Sequence, residues 1–227
     1  MEFNFADAIG AVSRQVIEKE HEGKPARVAV MERTYPAPLD DVWDAITTRE
    51  RIPRWFLPVT GDLELGGRYQ LEGNAGGEVL TCKPPHHLSV TWEFGEGVSW
   101  LDIHLEAVGD DQTRLRLEHM AHIDPDDPHM QMFGTGAIGI GWDLAVLAFA
   151  QHVASPDDDS WREAALAFDA TPEGRDFMRR SGELWTEADI AAGVPEEKAR
   201  AQGAATIAAY LGEGPEGEDA EHPEGTP

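Results

Sequence analysis

Between Leu88 and Leu117 apolar and polar side chains alternate with little interruption. Leu88, Val90, Trp92 and Phe94 alternate with Ser89, Thr91 and Glu93; Leu101, Ile103 and Leu105 alternate with Asp102, His104 and Glu106; Leu115 and Leu117 point inward with His119. A period of two marks a strand with one buried face, and connections as short as Gly109-Asp-Asp-Gln112 make neighbouring strands antiparallel. The same pattern predicts strands at about 27–34, Asp62–Leu65, Arg68–Glu72 and Glu78–Cys82. Gly66-Gly67, the run Gly73-Asn-Ala-Gly-Gly77 and Lys83-Pro-Pro85 supply the turns, so about six strands follow the first.

Elsewhere the period lengthens to that of a helix. Phe5, Ile9, Val12, Val16 and Ile17 recur at steps of three and four, which predicts a short amphipathic helix over residues 1–22, ended by Gly23-Lys-Pro25. Pro38 opens a helix with the stripe Leu39, Val42, Trp43 and Ile46, and a second short helix runs from Thr48, as its cap, to Trp55-Phe56. His122–Gln131 is polar and interrupted by proline, hence a loop. The longest helix covers 136–153, with Trp142, Val146 and Phe149 on one side and Leu144 and Leu147 widening the stripe. After the linker Ser155-Pro-Asp-Asp-Asp159, residues 160–211 carry only helical signals: Trp161, Ala164, Ala165 and Phe168, then Thr171-Pro172 as cap and first turn, then Phe177, Met178, Leu184 and Trp185. Pro195 starts a last helix bearing Ile207, Tyr210 and Leu211. This appendage has too few large apolar residues to fold alone and is expected to pack on the first domain or across a dimer. Residues 212–227, rich in Glu, Gly and Pro, read as disordered.

The organisation is therefore an N-terminal helix (1–26), an α+β domain (27–154), a helical appendage (155–211) and an acidic tail (212–227). Strand, two short helices, a run of antiparallel strands and a long helix form a helix-grip order, a curved sheet wrapped around the last helix with a cavity between them. At Trp55-Phe56, Gly61-Asp62-Leu-x-Leu-Gly-Gly-Arg68, Gly77-Glu-Val-Leu80, Pro84-Pro-x-x-Leu88, Thr91-Trp92, Thr113-Arg-Leu-x-Leu-x-His119 and Gly141-Trp142 the sequence resembles the START-like SRPBCC superfamily. Its nearest likeness there is to the branch named after the activator of the 90-kDa heat-shock-protein ATPase. The resemblance implies the helix-grip fold over about 27–154. For function it implies a range, from lipid carriers and aromatic polyketide cyclases to hormone receptors and co-chaperone domains.

Charge narrows the range. Forty-three acidic against 18 basic side chains give a formal charge of -25, which opposes binding to nucleic-acid phosphates or anionic membranes. A hydrophobic content of 41%, low for a globular chain, agrees with a partly disordered one. The single cysteine, Cys82, lies mid-strand without a basic neighbour on its own strand and reads as an inert thiol. The N-terminus lacks a signal-peptide pattern and no uncharged apolar run reaches membrane-spanning length, so the expected location is the cytoplasm.

Alternation places Tyr69, Leu80, Trp92, Phe94, Leu101, Ile103, Leu105, Leu117 and His119 on the inner face, with Trp142 and Leu144 or Val146 from the helix. Such a lining suits a hydrophobic, aromatic or lipid-like ligand, bound without cofactor or metal in a pocket of at least roughly 300 Å3. The alternatives are a cyclase or dehydratase-like enzyme with His119 as general acid or base beside Glu78 or Tyr69, and a protein-interaction module using the appendage. His119-x-x-His122 with Asp124, Asp126, Asp127 and His129 offers metal-binding residue types at no zinc spacing, and His86-His87 is a weaker set still. Gly134-x-Gly136-x-x-Gly139 mimics a dinucleotide fingerprint without the strand that should precede it, so close packing of helix on sheet explains it better.

Overall fold

The computed structural model describes residues 5–156 and 167–213. Eight antiparallel strands form one curved, unclosed sheet in the order β1-β2-β8-β7-β6-β5-β4-β3. The strands are β1 (Ser13–His21), β2 (Lys24–Tyr35), β3 (Val59–Gly61), β4 (Arg68–Leu71), β5 (Gly76–Lys83), β6 (His87–Phe94), β7 (Gly97–Gly109) and β8 (Gln112–His122). Helix α1 (Phe5–Gly10) precedes them, and α2 (Leu39–Thr47) with a 3-10 turn at Ile52–Arg54 joins β2 to β3. After β8 come α3 (Pro128–Phe133), α4 (Gly136–Ala154), a 3-10 turn at Phe168–Ala170, α5 (Pro172–Ala191) and α6 (Glu196–Tyr210).

The α+β helix-grip class is observed, and several local expectations are corrected. The amphipathic pattern of residues 1–22 is not one helix: α1 stops at Gly10 and Ser13–His21 becomes an edge strand. Its partner is decisive. Glu22 and Gly23 both take positive φ (50° and 75°), the conformation of a two-residue hairpin turn, and His21 pairs with Lys24 across it. Val16 then enters the central core while Ile17 packs on the opposite face, as a strand's alternation requires. Asp62–Leu65 is a loop, because the Asp62 carboxylate accepts the Glu64 N–H and the Gly66 and Gly67 backbone bonds to Val79. The predicted loop 122–131 contains α3, started by Pro128 and capped by the Asp127 side chain. Thr48 does not cap the second helix with its side chain, which donates to Asp44 instead. The cap predicted at Thr171 is in place, and the last helix begins directly after Pro195 as expected. The tail 214–227 and the stripe Trp161, Ala164 and Ala165 lie outside the described residues.

Helix α4 is apolar on all sides because it is covered on all sides. Trp142, Ala145, Val146, Phe149 and Val153 meet the sheet, while Ile140, Leu144 and Leu147 meet α1, α5 and α6. By length and composition α4 is apolar enough to cross a membrane, yet it is mostly buried here and carries Asp143. That carboxylate, fully buried, accepts three hydrogen bonds from Arg14 of β1 (3.1, 2.9 and 2.8 Å), one from Ser181 and one from the Trp185 indole (3.0 Å) of α5. A buried charge is tolerable only when paired and hydrogen-bonded in this way. The appendage therefore packs on the first domain, and Trp185 is completely enclosed against Gly139, where a Cβ would lie 2.4 Å from the indole. The glycine run of α4 serves helix-on-helix contact rather than the helix-on-sheet contact expected.

Candidate functional site

The cavity between the sheet and α4 has a volume of about 130 Å3. Its wall includes Trp55, Phe56, Trp92, Trp142 and Phe149, with aliphatic side chains from β5 to β8. The aromatic rings contact one another: Phe56 stacks on Trp142 (6.0 Å between centroids, 15°), Trp142 lies 5.2 Å from Trp92, and Trp55 meets Phe149 edge-on at 4.7 Å. The 3-10 turn puts Trp55 and Phe56 here, and the Trp55 indole donates to the Ala45 carbonyl at 2.9 Å. Thr47, Ile52, Trp55, Phe56 and Leu63 on this wall are half-buried, as are Cys82, Leu88 and Trp92 on the sheet side. The volume falls below the roughly 300 Å3 expected for a hydrophobic, aromatic or lipid-like ligand, so the expected pocket is corrected to a smaller cavity that, as it stands, has no room for a ligand of that size.

Of the sequence-predicted lining, Tyr69, Trp92, Leu101, Ile103, Leu117, Trp142 and Val146 face the cavity. Leu80 does not, being 42% exposed. A bulge between Val79 and Thr81 inserts one residue, so Val79 and Cys82 take the inward positions on either side of it. Phe94 is 65% exposed at the β6–β7 turn, beyond the covered part of the sheet. Leu105 is buried in the core but outside the cavity wall, and Leu144 faces the outer helices. Alternation missed Trp55, Phe56, Ile52 and Leu63, which lie off the strands; the Trp-Phe pair before Pro58 was their one visible signal.

His119 sits behind the wall, 5% exposed, with both ring nitrogens occupied. The Trp142 indole donates to Nδ1 (2.8 Å), and Nε2 lies 2.8 Å from the Ser99 hydroxyl, which in turn donates to the Trp92 carbonyl. These roles assign the neutral tautomer with the proton on Nε2. Burial pushes the imidazole pKa down to about 4, in keeping with that neutral form. His119 is therefore not beside Glu78, whose strand neighbour is Arg68 on β4. Tyr69 donates its hydroxyl to the Thr91 carbonyl at 2.7 Å, and burial raises its pKa. The expected acid–base cluster of His119, Glu78 and Tyr69 is not assembled.

Among the described residues, no three metal-ligating groups of the acidic loop come together. Asp124 and Asp127 accept backbone N–H groups of their own turns, and His122 Nε2 lies 3.1 Å from the His21 carbonyl oxygen.

Comparison with known proteins agrees with the fold. A family model described as "Activator of Hsp90 ATPase homolog 1-like protein" matches residues 36–153. The crystal structure of CalU16 from Micromonospora echinospora is 31% identical, with a TM-score of 0.62, and the match covers 78% of this chain and 98% of that one. Its solution structure gives 30% identity, a TM-score of 0.64 and coverage of 81% and 97%. Such coverage exceeds what residues 1–154 alone could supply, so the likeness extends into the helices that follow. The protein EF2215 from Enterococcus faecalis, described as conserved and of unknown function, shares the fold at 16% identity and a TM-score of 0.55, covering 81% and 95%. No curated protein matches significantly.

Proposed function

The chain belongs to the family of activator of Hsp90 ATPase homolog 1-like proteins, and on that fold we propose that it binds a small, ring-bearing apolar molecule between the sheet and α4 without transforming it. The observation that carries this reading is an aromatic-walled cavity whose hydroxyl groups are already committed. The Tyr69 hydroxyl is bonded to Thr91, that of Thr47 to the Trp43 carbonyl, and that of Tyr35 approaches the Val146 carbonyl at 3.5 Å. What faces the space is chiefly carbon and aromatic ring, with the Cys82 sulfur among the lining groups. A dry apolar cavity of about 150 Å3 accepts benzene in another protein, so 130 Å3 matches one ring. A ligand of two or more rings requires the half-buried wall from Ile52 to Leu63 to open. Catalysis through His119 has no support, because both nitrogens are engaged and the ring stands behind Trp92 and Trp142. The appendage spends its apolar face on α4, which favours structural cover over partner capture.

The test is a fluorescence titration of the full chain with benzene, toluene, indole and naphthalene, since Trp55, Trp92 and Trp142 line the site. Saturable quenching by single-ring compounds is expected, and its loss in Ala145→Leu, which fills the space from α4. No response up to the solubility of every probe, or a response unchanged in Ala145→Leu, overturns the reading.

A further inference from the structure

On the opposite face of the sheet from the cavity, His87 of β6 stands directly across from His104 of β7, and Asp102 lies two residues before His104 on the same face. The His87 and His104 rings stack at 4.2 Å with an interplanar angle of 14°, and His87 Nε2 lies 2.8 Å from an Asp102 carboxylate oxygen. One donor atom from each of the three side chains falls within 4.8 Å of the other two.

We propose that His87, Asp102 and His104 form a binding site for a divalent transition-metal ion, with zinc as the type ion, completed by water. Two imidazoles and one carboxylate leaving a coordination position open is a donor set that zinc and its neighbours in the first transition row favour. With metal–ligand bonds near 2.0–2.1 Å, tetrahedral donors stand about 3.4 Å apart, so the ion replaces the His87–Asp102 hydrogen bond, spreads that pair from 2.8 Å, and draws in any donor pair standing further apart, none by more than about 1.4 Å. The register gives rigidity that a loop cannot: the three side chains hang from two paired strands, and their backbone spacing is set by the ladder. Access is provided by His104, which is exposed, while His87 and Asp102 are about three-quarters buried at 23% and 25% side-chain exposure.

Local charge permits a cation. Arg116 stands across from His104 on β8, but its guanidinium is engaged by Glu32 and Glu118, and Lys19 also pairs with Glu118. Arg116 and Lys19, with the exposed Lys83 across from His87 on β5, balance Glu32, Glu118 and Asp102, so the patch is neutral before a metal binds, on a chain whose formal charge is -25. None of the three ligands lines the cavity, so this site stands apart from the proposed ring-binding function.

The experiment is titration of the tag-free full chain with Co2+ as a spectroscopic probe and with Zn2+ by calorimetry. One Co2+ per chain is expected, with a visible ligand-field band that Zn2+ displaces. His104→Ala and Asp102→Asn should each weaken binding at least about a hundredfold, the upper end of what losing even an outer-sphere partner costs. His129→Ala, removing an exposed histidine on α3, should leave it unchanged. Because His104 is exposed, His104→Ala should keep the parent's metal-free melting curve, so loss of binding cannot be ascribed to unfolding. Absence of a Co2+ band at millimolar metal, or a band that survives both ligand substitutions, overturns the proposal.

Discussion

Replacing Asp143 by Ala should break the joint between sheet, core helix and appendage at one atom group. The Arg14 guanidinium, with a side chain 5% exposed, would lose the carboxylate it pairs with and keep the Ile9 and Val12 carbonyls. Ser181 and the Trp185 indole, both fully buried, would lose their acceptor as well. Removing one member of a buried ion pair typically costs about 3–5 kcal/mol, chiefly through the stranded charge. Urea unfolding followed by circular dichroism and tryptophan fluorescence should show a loss of that size, a factor of roughly a thousand in the folding constant. The double variant Arg14→Met/Asp143→Leu removes the charge along with its partner. It should be more stable than the sum of the Arg14→Met and Asp143→Leu effects by at least about 1 kcal/mol, while still paying for two unbonded donors on α5. A single-variant loss under about 1 kcal/mol, or strictly additive effects, would refute the claim that the network holds the appendage in place.

Two further outcomes follow from the site and the sheet. The folded-state pKa of His119, about 4, lies below its unfolded value of about 6.5, so between these pH values the unfolded chain binds the extra proton. His119 therefore contributes stability that is fully present above about pH 6.5 and is lost as pH falls to 4, up to about 3 kcal/mol; denaturation midpoints of wild type and His119→Gln should converge in acid, and parallel pH curves would refute the buried neutral imidazole. At the β5 bulge, Leu80→Lys should change stability by no more than about 0.5 kcal/mol, whereas Val79→Lys should cost at least about 2 kcal/mol by chemical denaturation. The reverse order would mean that the register of β5 is shifted by one residue.

The strands and their faces were legible wherever alternation ran without a break, as from Leu88 to Trp92 and from Leu101 to Leu105. It failed at Leu80 because a bulge depends on the partner strand: Val79 spends its backbone N–H and carbonyl on Gly67 and Gly66. It failed at Phe94 because a pattern shows which face a side chain takes but not where the covering helix ends. Val12, Val16 and Ile17 fit a helical stripe and a strand alike, and the Glu22-Gly23 turn with its pairing to β2 decided between them. His119 lies buried on β8 but lines no part of the cavity, against what alternation suggests, and its two partners come from β7 and α4 and have no local signature. The His87–Asp102–His104 cluster was hidden for the same reason: two of its members are separated in sequence from the third by a turn and most of a strand.

The enclosure of α4 also sets an order of assembly during synthesis. Arg14 precedes Asp143 by 129 residues, while Ser181 and Trp185 follow it by 38 and 42. At roughly 5–20 residues per second, the ribosome needs about 2–8 s to add the last of these partners after Asp143. During that interval the sheet can close over one side of α4, but the other side stays bare, with a carboxylate set in an apolar surface and only Arg14 to answer it. The growing chain thus passes through a stage whose most adhesive surface is the one most thoroughly hidden at the end, and protection of the nascent protein is needed there first.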